Sequence, residues 1–191
     1  MKLEDIAEIK TGLVLTRKKA EVDFKVKATY RLLTLRNIEE DGTFNDHPFD
    51  VFHSNDELSP RYFTEEGDIV MRLSDPNTAV YISKDQANLL VPSNFVLIKV
   101  KNAQVLPGYI AWYLNRDSIK RELAKSQSGT RILSTNKNVL KTISIKMLSL
   151  DNQEALIKML SLHRKEKRLY QKLIMEKEDW FKGVSQQILQ G

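Results

Sequence analysis

Residues 151–190, DNQEALIKMLSLHRKEKRLYQKLIMEKEDWFKGVSQQILQ, contain no proline and repeat their apolar side chains at steps of three and four. Leu156, Met159, Leu160, Leu162, Leu169, Tyr170, Leu173, Ile174, Trp180, Phe181, Val184 and Ile188 form one stripe, the pattern of a single long amphipathic helix. Asp151 is expected to cap it, with Glu154 three positions on reaching back to the cap amide. About 40 residues at roughly 1.5 Å each would extend about 60 Å. A domain of this size does not cover such a length, so part of the stripe is expected to meet another helix, most simply the same helix of a second chain. Glu166, Lys167, Glu176 and Lys177 interrupt a strict heptad seam, so a helix packed on its own domain or broken near Gly183 is the alternative.

Upstream the pattern changes. All five prolines lie at or before Pro107. The spacing predicts strands over 7–11, 30–35, 69–73, 79–82 and 95–100, with a tight turn at Asp41-Gly42 and Pro48, Pro60, Pro76 and Pro92 breaking any helical reading. A helix is expected from Pro107, carrying Tyr109, Ile110, Trp112, Tyr113 and Leu114, and a second over 117–125. The polar run 126–131 reads as an exposed loop, and 143–145 as a return to the sheet. The expected class is therefore α+β: a twisted, mainly antiparallel sheet with short helices over 1–150, followed by a long C-terminal helix over 151–191.

The 191 residues suit one domain and an arm. With no cysteine there is neither a disulfide nor a zinc ribbon. Met1 leads straight into charged residues with no signal-peptide pattern, and apolar runs such as 95–98 fall far short of the roughly 20 residues that span a bilayer, so a cytoplasmic protein without membrane attachment is expected. The net charge of +5 conceals a segregation. Residues 1–36 carry 9 basic and 5 acidic side chains, 37–68 carry 1 and 10, and 69–191 carry 20 and 10. Basic stretches on either side of an acidic block allow a positive face toward a polyanion.

Catalytic signatures are sparse. The seven glycines never occur two apart or in a phosphate loop, which argues against a nucleotide or S-adenosylmethionine site, and no cofactor is expected. No serine lies in a nucleophile elbow. His47 and His53, with Asp46, Asp50 and Asp56, match no compact metal spacing, so no metal is expected. Glu8, Lys10 and Asp68 are residue types that a metal-dependent nuclease would use, and they rank below a non-catalytic role.

The positive signal is a mixture of fixed charge with amide and hydroxyl side chains. Phosphates are contacted by Lys, Arg, Ser and Thr, whereas base edges are read by Arg, Asn, Gln and Lys. Three stretches offer both: 10–27, with Lys10, Thr11, Arg17, Lys18, Lys19, Lys25 and Lys27; 72–77, with Arg72, Ser74 and Asn77; and 127–138, with Gln127, Ser128, Gly129, Thr130, Arg131, Asn136 and Lys137.

Taken in order, several landmarks resemble the target recognition domain of type I restriction-modification specificity subunits. They are Leu3-Glu4-Asp5-Ile6-Ala7-Glu8-Ile9-Lys10-Thr11-Gly12, Leu35-Arg36-Asn37-Ile38 with Asp41-Gly42, Gly67-Asp68-Ile69-Val70, Pro107-Gly108-Tyr109-Ile110-Ala111-Trp112-Tyr113-Leu114, Gly129-Thr130 with Ile132, and Gln153. The sequence departs from that family in having Met147-Leu148-Ser149-Leu150 where prolines usually precede the glutamine. It also supplies one recognition domain and one helix where typical subunits have two of each. The resemblance implies a half subunit that is not itself an enzyme. As a homodimer with its helices in an antiparallel coiled coil, it would read a bipartite inverted repeat in double-stranded DNA. Methyltransferase (modification) subunits, and a restriction subunit beyond them, would then be the partners. The resemblance further implies base contact by Arg72, Ser74 and Asn77, and backbone contact by Lys10, Arg17, Lys18, Lys19, Gly129, Thr130 and Arg131. A protein-interaction adaptor or DNA decoy that uses the long helix is the competing reading, with a metal-dependent nuclease third.

Overall fold

The computed structural model describes residues 1–22, 25–126 and 135–190. The chain divides into two units, Met1–Leu150 and Asp151–Gly191.

The first unit is built on two sheets. A short helix α1 (Leu3–Ile6) runs straight into β1 (Ala7–Thr11), which pairs antiparallel with β7 (Phe95–Val100) from Ala7 opposite Val100 to Thr11 opposite Val96. On the other side of β7 lies β4 (Ile69–Arg72), then β5 (Ala79–Tyr81), giving the order β1-β7-β4-β5 with every pairing antiparallel. The central strands bury consecutive residues, Phe95 to Ile98 and Ile69 to Met71, because both faces of the sheet are covered. β1 instead alternates, turning Ala7 and Ile9 inward and Glu8 and Lys10 away from the core. The bounds of β1 and β7 agree with those predicted, and those of β4 and β5 differ by one residue.

The second sheet was not anticipated. β2 (Ala28–Leu32) pairs antiparallel with β3 (Asp50–Ser54) and parallel with β6 (Leu89–Leu90). The predicted strand 30–35 thus begins two residues earlier and ends at Leu32, because Leu35–Asn37 forms a 3-10 turn that Asn37 fastens by accepting from the Thr34 amide and hydroxyl at 2.9 and 2.8 Å. One core cluster joins Leu33, Ile38, Leu89 and Val91 to Val70, Val80, Phe95 and Leu97 of the first sheet and to Ile82 just beyond β5. At Asp41-Gly42 the expected turn is present, with Gly42 at φ +78° and a single bridge between Ile38 and Phe44. Residues 143–145 do not return to the sheet. Ser144 instead makes an isolated bridge with Lys2, and Ile145 N donates to Met1 O at 2.8 Å, so this segment closes on the chain's first residues.

Helix α2 (Pro107–Leu114) starts at the expected proline and α3 (Asp117–Ser126) matches its prediction to one residue. A further helix, α4 (Lys137–Thr142), lies between the polar run 126–131 and the segment 143–145, where the sequence predicts no element.

The second unit is α5 (Leu150–Gln190), 41 residues that pass through Gly183 without a break. It begins at Leu150, so Asp151 lies in the first turn, where its carboxylate favours the positive end of the helix dipole, and is not the cap itself. Leu156 and Leu160 are half-buried, whereas Met159 is 66% exposed and residues 165–183 are all exposed, Trp180 at 68%.

Candidate nucleic-acid interface

The basic residues after β1 are gathered by the end of β3. Beyond the exposed Thr11 the chain passes Gly12, where a Cβ would lie 2.2 Å from the Pro92 carbonyl oxygen, and enters a 3-10 turn, Leu15–Arg17. Lys18 N and Lys19 N both donate to Leu15 O, Asn55 N donates to Lys18 O at 2.9 Å, and Lys27 N donates to Ser54 O at 2.8 Å. Two basic segments distant in sequence are thereby fixed to one strand end. Arg17, Lys18, Lys25 and Lys27 line a surface groove of about 600 Å³ with Asn55 and Asp56. Lys18 Nζ meets Asp56 Oδ2 at 2.7 Å. That hydrogen bond, reinforced by the Lys18 charge, holds the Asp56 carboxyl below its ordinary range. Four cations against one carboxylate leave the groove positive, and such a groove suits successive phosphates.

The other expected contact residues have varied surroundings. Lys19 is exposed but outside the groove lining. Lys10 pairs with Glu8 at 3.0 Å, and Lys101 meets the same carboxylate at 2.9 Å. The hydrogen bonds from Lys101 and Lys10 lower the pKa of Glu8 from 4.5 to about 2.

The 72–78 loop is closed from within. Asn77 has φ +50°, is 3% exposed, and donates its side-chain amide to Leu73 O at 2.8 Å and Arg72 O at 3.4 Å. Its side chain is buried and closes the loop from within. Arg72 is half-buried, with Nη2 donating to Asp75 O at 3.4 Å, and Ser74 is also half-buried. The Arg72 Nε and Ser74 hydroxyl have no hydrogen-bond partner among the described residues. Thr135 N donates to Leu73 O at 2.7 Å, which ties Thr135, just before Asn136, to the start of the 72–78 loop. Asn136 is exposed, but its side-chain oxygen accepts from Asn138 N and Val139 N, so it caps α4, which Lys137 opens. Gln127, Ser128, Gly129, Thr130 and Arg131 lie outside the described residues.

The carboxylates considered for metal chemistry have other partners. Asp50 pairs with Arg36 and Asp56 with Lys18, and His53 Nδ1 lies 3.2 Å from the Thr29 hydroxyl. Among the described residues no three His, Asp or Glu are grouped as metal ligands. Asp68 accepts from Glu65 N at 2.8 Å and lies 3.5 Å from Lys99 Nζ; burial raises its pKa against those two interactions.

No protein-family model matches this sequence, nor does any curated protein. Solved structures do. A chain of a structure on complex assembly and conformational transition of the type I R-M system is 12% identical with a TM-score of 0.64, over 96% of this chain and 42% of that one. The HsdS subunit from Thermoanaerobacter tengcongensis is 12% identical with a TM-score of 0.63, over 91% of this chain and 43% of that one. The type I restriction-modification system S subunit from M. genitalium is 17% identical with a TM-score of 0.53, over 90% and 40%. The chain has the fold of type I specificity subunits. It spans less than half the length of each of those chains.

Within the specificity-subunit fold the resembling motifs take distinct positions. Gly12 sits where β1 meets the Val91–Pro92 backbone, Gly67 adopts φ +90° ahead of β4, and Pro107 opens α2. Sequence reading named Lys25 and Lys27 within a basic stretch without placing them on one surface with Arg17 and Lys18, and it missed Asn55. The cations were visible as a cluster, but the strand that gathers them was not. Among the described residues no helix is long and apolar enough to cross a membrane.

Proposed function

We propose that this chain is a non-catalytic DNA-recognition module, the counterpart of one half of a type I specificity subunit. Its first unit binds double-stranded DNA, and α5 joins it to a second copy in an antiparallel pair. The observation that carries the reading is the fold shared with type I system structures over 90% or more of this chain but only 40–43% of theirs. The groove formed by Arg17, Lys18, Lys25 and Lys27 supports phosphate contact. Arg72 and Ser74, at the end of β4 and just beyond, carry the side-chain types that read base edges. A pair of identical domains related by a two-fold axis calls for a bipartite inverted repeat whose spacer is fixed by helix length. Methylation and cleavage belong to partner modification and restriction subunits docked on the assembly.

Selection of bound duplexes from a random pool, followed by binding measured across salt concentrations, tests the reading. The expected result is an enriched inverted repeat bound with steep salt dependence. Binding without sequence preference, or no duplex binding at low salt, overturns it.

A further inference from the structure

On α5, one line of side chains advances by alternating steps of four and three: Met159, His163, Glu166, Tyr170, Leu173, Lys177, Trp180 and Val184. This spacing averages 3.5 residues, the seam of a left-handed coiled coil. Leu162 and Leu169 flank it on one side, Ile174 and Phe181 on the other, all in the exposed stretch of the helix apart from half-buried Val184.

Glu166 and Lys177 are the two charged members of the seam. They are 11 residues apart, about 16 Å along the axis, too far to pair on one helix. Glu166 receives the Tyr170 hydroxyl at 3.4 Å, and Lys177 has no ion-pair partner among the described residues.

Their positions are symmetric about the point between Gln171 and Lys172. In an antiparallel pair with its two-fold axis there, Tyr170 is level with Leu173 of the second copy, Glu166 with Lys177, His163 with Trp180, and Met159 with Val184. Every seam residue has a complementary neighbour. A shift by one heptad brings Glu166 level with Tyr170 or Val184, and Lys177 level with Met159 or Leu173, leaving Lys177 against apolar side chains and neither charge opposite its counterion. Parallel pairing sets Glu166 beside Glu166 and Lys177 beside Lys177. A charge pair in a seam is costly to desolvate and contributes more to the choice of register than to stability, so it penalises each alternative.

We propose that α5 docks on α5 of a second copy of this chain, antiparallel and in one register, with the two-fold axis between Gln171 and Lys172 and Glu166 of each copy facing Lys177 of the other. The inference rests on the pairing proposed above and adds its register.

Two experiments on the full chain test it. Glu166→Lys and Lys177→Glu are each expected to weaken self-association about tenfold or more, since each sets like charges level, and an equimolar mixture of the two is expected to regain the original affinity. Because the sequence has no cysteine, Glu166→Cys and Lys177→Cys each introduce a single thiol. Under mild oxidation their mixture is expected to form a disulfide-linked dimer that neither forms alone. Sedimentation of the unmodified chain separates the possible failures. A monomer at micromolar concentration overturns the pairing and the register together. A dimer whose charge-swapped mixture stays dissociated, or in which Glu166→Cys links to itself, overturns the register while leaving the pairing in place.

Discussion

The Asn115 side chain closes on Ala79 as a neighbouring strand would, its Oδ1 accepting from Ala79 N at 2.9 Å and its Nδ2 donating to Ala79 O at 2.6 Å. Ala79 belongs to β5, the last strand of the first sheet, and is fully buried. An unpaired amide and carbonyl at such an edge cost free energy when water is excluded. Asn115→Ala leaves both groups without partners and is expected to destabilise the first unit by about 2–4 kcal/mol, read as a lower midpoint in denaturant unfolding. A midpoint unchanged within error would mean that water replaces the side chain there.

Gly12 is the second point at which one residue fixes the sheet. Leu13 N donates to Val91 O and Ser93 N to Leu13 O, both at 2.8 Å, drawing the end of β1 against the 91–93 backbone. A Cβ on Gly12 would meet the carbonyl oxygens of Pro92 and Val91 at 2.2 and 2.5 Å, and both are backbone atoms with little room to yield. Gly12→Ala should therefore destabilise the chain by about 3 kcal/mol, and Gly12→Val by more. Thermal melting of the two variants checks the order; an alanine variant as stable as the parent refutes this account of the close approach.

How far the fold was legible follows from these same elements. β1 and β7 could be read because alternation in one and a continuous apolar run in the other are local signals. α5 could be read because 40 proline-free residues with one stripe admit little else. The second sheet could not. β3 is Asp50-Val51-Phe52-His53-Ser54, whose polar composition lies inside the acidic block, and β6 is only Leu89-Leu90. Their strand character comes from pairing with β2, which is non-local. The groove was hidden for the same reason, since its cations converge only because β3 ends beside them. The loop-closing bonds of Asn77 were not legible because an amide side chain serves equally to read a base or to close a turn, and the positive φ and burial belong to the folded chain. The seam charges of α5, read along one helix as interruptions, are complementary in the register proposed for two copies.

Acid stability offers a test on the first sheet. Glu8 is held by Lys101 and Lys10, which lower its pKa from 4.5 to about 2. A carboxylate depressed in the folded state contributes stability that is present above its unfolded pKa and lost as the pH falls through the folded value. Between about pH 4.5 and 2 the parent chain is therefore expected to lose stability that Glu8→Gln has already lost. The two melting curves should differ at pH 6 and converge toward pH 2. A constant difference across that window would remove Glu8 from the acid response.

The groove makes a different kind of prediction, because its four cations are not equivalent. Lys18 is matched by Asp56 at 2.7 Å, whereas Arg17, Lys25 and Lys27 are exposed. A cation that neutralises a phosphate releases a counterion and adds about one to the slope of log affinity against log salt. Lys27→Ala is therefore expected to flatten that slope by about one for every duplex sequence, and Lys18→Ala by less, since the charge it removes is already balanced. Asp56→Asn works in the opposite direction. It frees Lys18 for a phosphate and should tighten duplex binding at low salt while steepening the slope. Fluorescence anisotropy on the parent and the three variants over a series of salt concentrations measures all of this. An Asp56→Asn variant that binds more weakly than the parent would show that the carboxylate holds Lys18 in a required position, and would remove the argument from free charge.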